Sequence, residues 1–311
     1  MLDVLVILLR LSQYVGAVVL MGTPLFLIYG LSEVDRRRLR WPKRLVIASA
    51  ALVAVASAVA LIAQTAVMAG SIFEGLKPAS LGFMITGTTL GPAFLIRAFV
   101  ATAAGVLLIA ARPSRGICLA VSLAGLIAVA SFAWTGHGAA TEGGGHTIHL
   151  VAAILHAWAA AVWLGALAAL LVLTFSAREE TPATNRTLYQ ALHGFSGVGT
   201  AAVAVLILSG LINSWFMIGP DRLSGLITTP YGLLLTGKLV LFALMLVLAA
   251  ANRFHLTPDL GAALDDPGGL AVAVRRLKRS LVLETLLALA LLLAVAIMGT
   301  LPPVAAMDMA M

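Results

Sequence analysis

Long apolar runs broken by short polar gaps make up most of the chain, and the runs have the length that a lipid bilayer sets. Crossing about 30 Å of hydrocarbon takes about 20 residues of helix, because other backbone facing lipid leaves its N–H and C=O groups unpaired. Eight stretches meet this requirement, at roughly residues 3–31, 43–70, 90–111, 116–136, 147–175, 194–218, 231–251 and 273–299. The pattern predicts an all-α, polytopic membrane bundle of about eight transmembrane helices, organised as one domain over residues 1–311. The longest polar gap, about 252–272, holds Pro258, Asp259, Asp265, Asp266, Pro267, Gly268 and Gly269 and reads as a connecting loop. With 61% hydrophobic and 11% charged residues, the composition excludes a soluble domain of this size.

Charge adds direction to this picture. Of the 20 Lys and Arg residues, 15 fall in every second gap: Arg36, Arg37, Arg38, Arg40, Lys43 and Arg44; Arg112 and Arg115; Arg178 and Arg186; Arg253, Arg275, Arg276, Lys278 and Arg279. By the positive-inside rule these gaps are cytoplasmic, and an even number of spans places both termini on the periplasmic side. The basic balance therefore reports topology and gives no reason to invoke nucleic acid. Asp3 stands where a cleavable signal would carry its basic region, so the first segment reads as a retained helix. Cys118 is the one cysteine, which excludes a disulfide framework, and it reads as a small buried apolar residue.

Chemistry concentrates in TGHGAATEGGGHTIHLVAAILHAWAAAVWLG, which leads from the outer end of the fourth segment into the fifth. Four of the six histidines lie here: His137, His146, His149 and His156. His146 and His149 are three apart, neighbours on a first helical turn that can chelate one ion. His156 lies seven residues further on, on the same face but about 10 Å deeper, where it can serve a second site. Glu142 and the run Gly143 to Gly145 allow the loop to fold His137 back over the helix end. Rim histidines also hydrogen-bond simply to backbone and water, but an ionisable group well inside a span usually has a partner or a task.

Methionine supplies a second clue. Met68, Met84, Met217, Met298, Met307, Met309 and Met311 all fall near the outer face, and the tail alternates Met307, Met309 and Met311 around Asp308. Methionine is an ordinary core filler, but thioethers beside imidazoles favour copper among biological metals. Arg10, Arg97 and Lys238 lie about two turns inside the outer face, and are read as structural cations that snorkel or pair with carbonyls, Asn213 or acids. Glu284 either neutralises a cation or relays a proton, or else forms a salt bridge to the basic run Arg275–Arg279. His193 and His255 read as interface residues, and Trp163, seven residues from His156, as closing the space beneath that histidine. Gly16, Gly22, Gly194, Gly197 and Gly199 permit close helix contacts, within one chain or between chains.

Several separated motifs together resemble the CopD copper-resistance membrane proteins over nearly the whole chain. The central motif is His149 and Leu150, then His156 followed by Ala159, Ala160, Ala161, Trp163, Leu164 and Gly165. SGLINSW (Ser209 to Trp215), YGLLLTGKLVLFALMLVLAAANR (Tyr231 to Arg253) and GTLPP (Gly299 to Pro303) also resemble family signatures. Two departures stand out: Ala153 occupies a position where the family pattern has Asp, and Ala166 replaces a second Gly after the Trp. The resemblance implies a multi-pass protein of the bacterial inner membrane that handles copper, as Cu(I) or Cu(II), at the periplasmic face and moves it into the cytoplasm. It also implies a small periplasmic copper carrier of the CopC type as a partner.

The expected ligands are His149, His156, His146, His137, Met307, Met309, Met311 and Glu142. Two alternatives stand beside transport: a copper buffer or sensor using only the rim site, and a haem-binding electron-transfer protein. The haem reading needs a second histidine at the depth of His156, and no other span supplies one. No nucleotide loop, nucleophile elbow or cysteine pair appears, so no enzyme activity is expected.

Overall fold

The computed structural model describes residues 2–39, 41–112, 114–136, 143–176 and 182–305, and among them it contains helices and no strand. Among the described residues, eight helices are long and apolar enough to cross a membrane. They are α1 (Leu2–Gly30), α2 (Trp41–Ala69), α3 (Leu90–Ala110), α4 (Arg115–Ala130, extended by a 3₁₀ turn at Ser131–Trp134), α5 (His146–Ser176), α6 (Pro182–Ile218), α7 (Pro230–Ala251) and α8 (Pro267–Met298).

Two expected boundaries shift. Hydropathy starts the sixth span near 194, yet α6 begins at Pro182 and runs for 37 residues, about 55 Å of helix that exceeds the hydrocarbon thickness. The gap at 252–272 is mostly ordered helix instead of a loop. From α7 the chain passes through a π-turn at Asn252–Leu256 into a helix at Thr257–Ala262. Asp266 then caps α8, its side chain accepting from the N–H groups of Gly268 and Gly269, with Pro267 in the first turn.

Helix α1 is the axis of the bundle, packing on α2, α4 and α5. These approaches need glycine: a Cβ on Gly22 would lie 2.0 Å from the Ala161 carbonyl oxygen, and one on Gly125 would lie 2.6 Å from Met21 Cα. Gly16 and Gly22 therefore serve contacts within the chain. On one side α1 and α5 join α2, α3 and α4 around Ala17, Val53, Ala101, Val121 and Ala161. On the other they join α6, α7 and α8 around Phe26, Leu170, Leu188 and Leu277.

Buried cations are spent on structure. Arg97 is 1% exposed. Its guanidinium donates to Gln13 of α1, Ser131 Oγ (2.9 Å) and Thr135 Oγ1 (3.2 Å), and lies 3.8 Å from the Phe132 ring centroid. Five fixed donors suit arginine to joining three segments in this way. Arg36 donates to the carbonyls of Leu27 and Leu31, which closes the C-terminal end of α1, and Lys43 reaches the Ala111 carbonyl after α3.

Helices α6 and α7 behave differently from the rest. Each packs on its own neighbour, α6 on α5 and α7 on α8, but their backbones approach one another almost nowhere. The seam between them, floored by α5 and α8, holds two stacked cavities.

Candidate functional site

The outer cavity, of about 190 Å³, is reached from the end of the bundle where α5 begins and α8 ends. Its walls include His149 and His156 of α5, Asn213 and Met217 of α6, Lys238 of α7 and Met298 of α8. The seven-residue spacing puts both histidines on one face of α5, about 10 Å apart along the axis. His149 is 2% exposed, and its ring stacks on Phe216 of α6 with centroids 4.9 Å apart and planes 10° apart.

His156 is fixed by a hydrogen bond to Ser209. The Ser209 hydroxyl lies 2.5 Å from the Val205 carbonyl and 3.1 Å from His156 Nδ1, and when it donates its one proton to that carbonyl it accepts from the ring. In the tautomer where Nδ1 donates to Ser209 Oγ, Nε2 keeps its lone pair, the arrangement in which a histidine ligates a metal while its other nitrogen is held in place. Gly210 packs beside the ring, where a Cβ would meet His156 Cε1 at 3.4 Å, an ordinary van der Waals contact.

Two imidazoles and two thioethers thus border one space, together with an amide oxygen. Asn213 Oδ1 is buried without a hydrogen-bond partner among the described residues. No three His, Cys, Asp or Glu side chains form a cluster among the described residues, so any soft-metal site here draws on the methionines. The cavity also holds two basic groups. Arg10 donates to the Gly299 carbonyl at 2.6 Å, whereas Lys238 Nζ makes no hydrogen bond or ion pair among the described residues. Ala153 lines the same space, so the position that carries Asp in the family pattern supplies no carboxylate here.

Of the ligands expected from sequence, His149 and His156 are brought together. His146 opens α5, is partly exposed and does not line the cavity. His137, Glu142, Met307, Met309 and Met311 lie outside the described residues. Sequence reasoning missed Ser209, Phe216 and Asn213 as neighbours of the histidines; the SGLINSW stretch that contains Ser209 and Asn213 was the available signal.

Toward the other end of the bundle, the second cavity, of about 350 Å³, is lined by Trp163, His193, Asn252, Arg253 and Glu284 among mostly apolar residues. Glu284 is 3% exposed. It does not pair with the basic run Arg275–Arg279: Oε1 accepts from Trp163 Nε1 at 3.1 Å and Oε2 from Asn252 Nδ2 at 2.9 Å. Trp163 lines this inner cavity and not the one that holds His156, and its indole links α5 to α8. Along α6, α7 and α8, Leu206, Phe242 and Ala288 fall between the residues that line the inner cavity and those that line the outer one, and Phe242 is edge-on to Trp163 at 5.9 Å.

Comparison with known proteins gives a consistent family. Residues 1–148 match the copper resistance protein D-like N-terminal domain, and residues 189–298 match copper resistance protein D. The chain is 29% identical to copper transport protein CutJ of Bacillus subtilis, over 80% of this chain and 46% of that protein. It is 33% identical to inner membrane protein YebZ of Escherichia coli, over 41% of this chain and 42% of that protein. No solved structure matches. Copper resistance protein D of Pseudomonas syringae pv. tomato is 38% identical over 97% of both chains. With that identity, two matching family segments and eight membrane-spanning helices, the chain belongs to the copper resistance protein D family.

Proposed function

We propose that this protein binds copper in the outer cavity and passes it through the seam between α6 and α7 into the cytoplasm of a bacterial cell. The observation that carries the reading is the donor set of one cavity: His149, His156, Met217 and Met298. Imidazole and thioether together suit Cu(I), the softest of the common biological metal ions. The basic gaps lie at the opposite end, so by the positive-inside rule the outer cavity faces the periplasm and the membrane is the inner one. A soluble periplasmic carrier then delivers the ion, and no catalytic step is involved.

His149, Met217 and Met298 receive the ion nearest the mouth, and His156 takes it about two turns deeper. A transporter must bind firmly enough to select and weakly enough to release. Lys238 supplies the second condition, because a unit charge within about 10 Å at an effective dielectric of about 20 costs roughly 1–2 kcal/mol. Lys238→Met is expected to tighten copper binding about tenfold and to slow its release. Weaker binding in that variant would show instead that the lysine amine is itself a ligand.

The reading is tested by elemental analysis of the purified, copper-loaded protein, followed by copper uptake into vesicles that contain it. Bound copper with uptake above that of protein-free vesicles is the expected result. Bound copper without uptake leaves a buffer, and iron with a haem absorption band overturns the assignment.

A further inference from the structure

The inner cavity is built from different chemistry. Glu284 is buried with both carboxylate oxygens accepting N–H donors, and the amide oxygen of Asn252, a residue 7% exposed, has no partner among the described residues. Asn252 opens the π-turn of α7, a feature often found where a helix is bent to a functional purpose. The cavity's described lining includes neither methionine nor cysteine, and next to Glu284 it presents the indole N–H of Trp163 and the amide of Asn252. Such groups suit a proton or another hard ion and not a soft metal.

We propose that the inner cavity is a proton station: Glu284 takes up and releases a proton at Oε2, and this proton is the ion exchanged against copper in the transport cycle proposed above, on which its coupling role rests. The amide of Asn252 serves both states. With Glu284 ionised, Nδ2 donates to Oε2, as observed. With Glu284 protonated, an amide turned by half a revolution presents Oδ1 to accept the new O–H. The step forms one O–H bond at Oε2 with a proton delivered by hydronium from water in the cavity, which leaves as water. Reversal returns the proton, and no other bond changes.

The groups that face Glu284 across the cavity are His193 and Tyr189 of α6 and Arg253 of the π-turn. Arg253 is engaged by the Ser196 carbonyl and Thr200, and the described residues of α5 and α8 lining the cavity add no further charge. His193 is exposed and stands where protons enter from the basic end. Coupling to the outer cavity runs through Trp163, which donates to Glu284 while resting against Phe242 of the apolar layer between the cavities. A change at Glu284 is thereby linked through the indole to Phe242.

The test uses the full chain in lipid. Infrared difference spectra between about pH 5 and pH 9 should show a carboxylic-acid C=O band that titrates in the wild type, moves in Asn252→Leu, persists in Glu284→Asp and is absent in Glu284→Gln. A titrating band that survives Glu284→Gln, or no such band, overturns the proton station. In vesicles, a pH gradient opposing copper entry with proton exit should change the uptake rate about tenfold in the wild type and leave it unchanged in Glu284→Gln. Equal gradient dependence in both overturns the coupling. If no vesicle takes up copper, the transport reading fails by itself, and the infrared band still decides whether Glu284 exchanges a proton.

Discussion

On the proposed reading, copper binding is expected to fall at least a hundredfold when His149 and His156 are both replaced by alanine. Disturbing even the partner that orients a ligand costs about 10–100-fold in affinity, and here two imidazoles leave a donor set that retains only the thioethers and the amide oxygen of Asn213. The measurement is competition of the purified protein against a Cu(I) chelator of known affinity, with elution as a single species showing that the variant is folded. The separate variants distinguish transport from storage. His149→Ala removes the proposed ligand at the mouth and should weaken binding and uptake together. His156→Ala leaves His149, Met217 and Met298 in place, so binding should fall by no more than about tenfold while uptake falls to the level of protein-free vesicles. A His149→Ala, His156→Ala protein that binds copper as the wild type does would remove the outer cavity from the mechanism.

That pair of histidines was legible in the sequence because its geometry is local. Seven residues on a helix keep one face whatever the rest of the chain does. The same holds for the eight spans, since segment length against bilayer thickness is a local comparison. The reading loses accuracy where a helix leaves the hydrocarbon. The first turns of α6 carry Asn185 and Arg186, and the reach between α7 and α8 carries Asp259 and Asp266, so hydropathy ends those spans early although the backbone stays helical.

The far walls of the site were not legible, because they are set by tertiary contact. Ser209 is 53 residues from His156, and Glu284 is 121 residues from Trp163. The tempting local partner for Glu284, the basic run Arg275–Arg279, lies about one and a half to two and a half turns away on its own helix. The structure instead turns the carboxylate inward to an indole and an amide. Likewise His146 and His149 are close in sequence, but only His149 is buried against α6 where the cavity opens. Local spacing identifies which residues share a face, and only the packing of α6, α7 and α8 decides what that face meets.

Substitution at the crossing of α1 and α5 should have the largest effect on the fold itself. Gly22→Val introduces a Cβ that would sit 2.0 Å from the Ala161 carbonyl oxygen, and a Cβ on Gly165 would lie 2.5 Å from Gly22 Cα. Neither obstacle is a flexible side-chain end, so two backbones must separate. Separation also breaks the bond from Thr23 Oγ1 to the Gly165 carbonyl at 2.9 Å. Overpacking costs about 1–3 kcal/mol in a core that can adjust, and more where backbone is the obstacle. Because α1 contributes to both hydrophobic cores, the strain reaches each half of the bundle. Small residues matter more at this crossing than in a soluble core, since lipid offers no hydrophobic drive to press separated helices back together. Gly22→Val and Gly165→Leu are therefore expected to prevent accumulation of folded protein in the membrane, or to lower its melting temperature in detergent by at least about 10 °C. Gly197→Ala, where a Cβ meets nothing within 4 Å, should melt at or slightly above the wild-type temperature. If the Gly22→Val protein accumulates and melts like the wild type, the two helices do not cross at the distance described, and the placement of His149 and His156 relative to α1 would need to be redrawn with them.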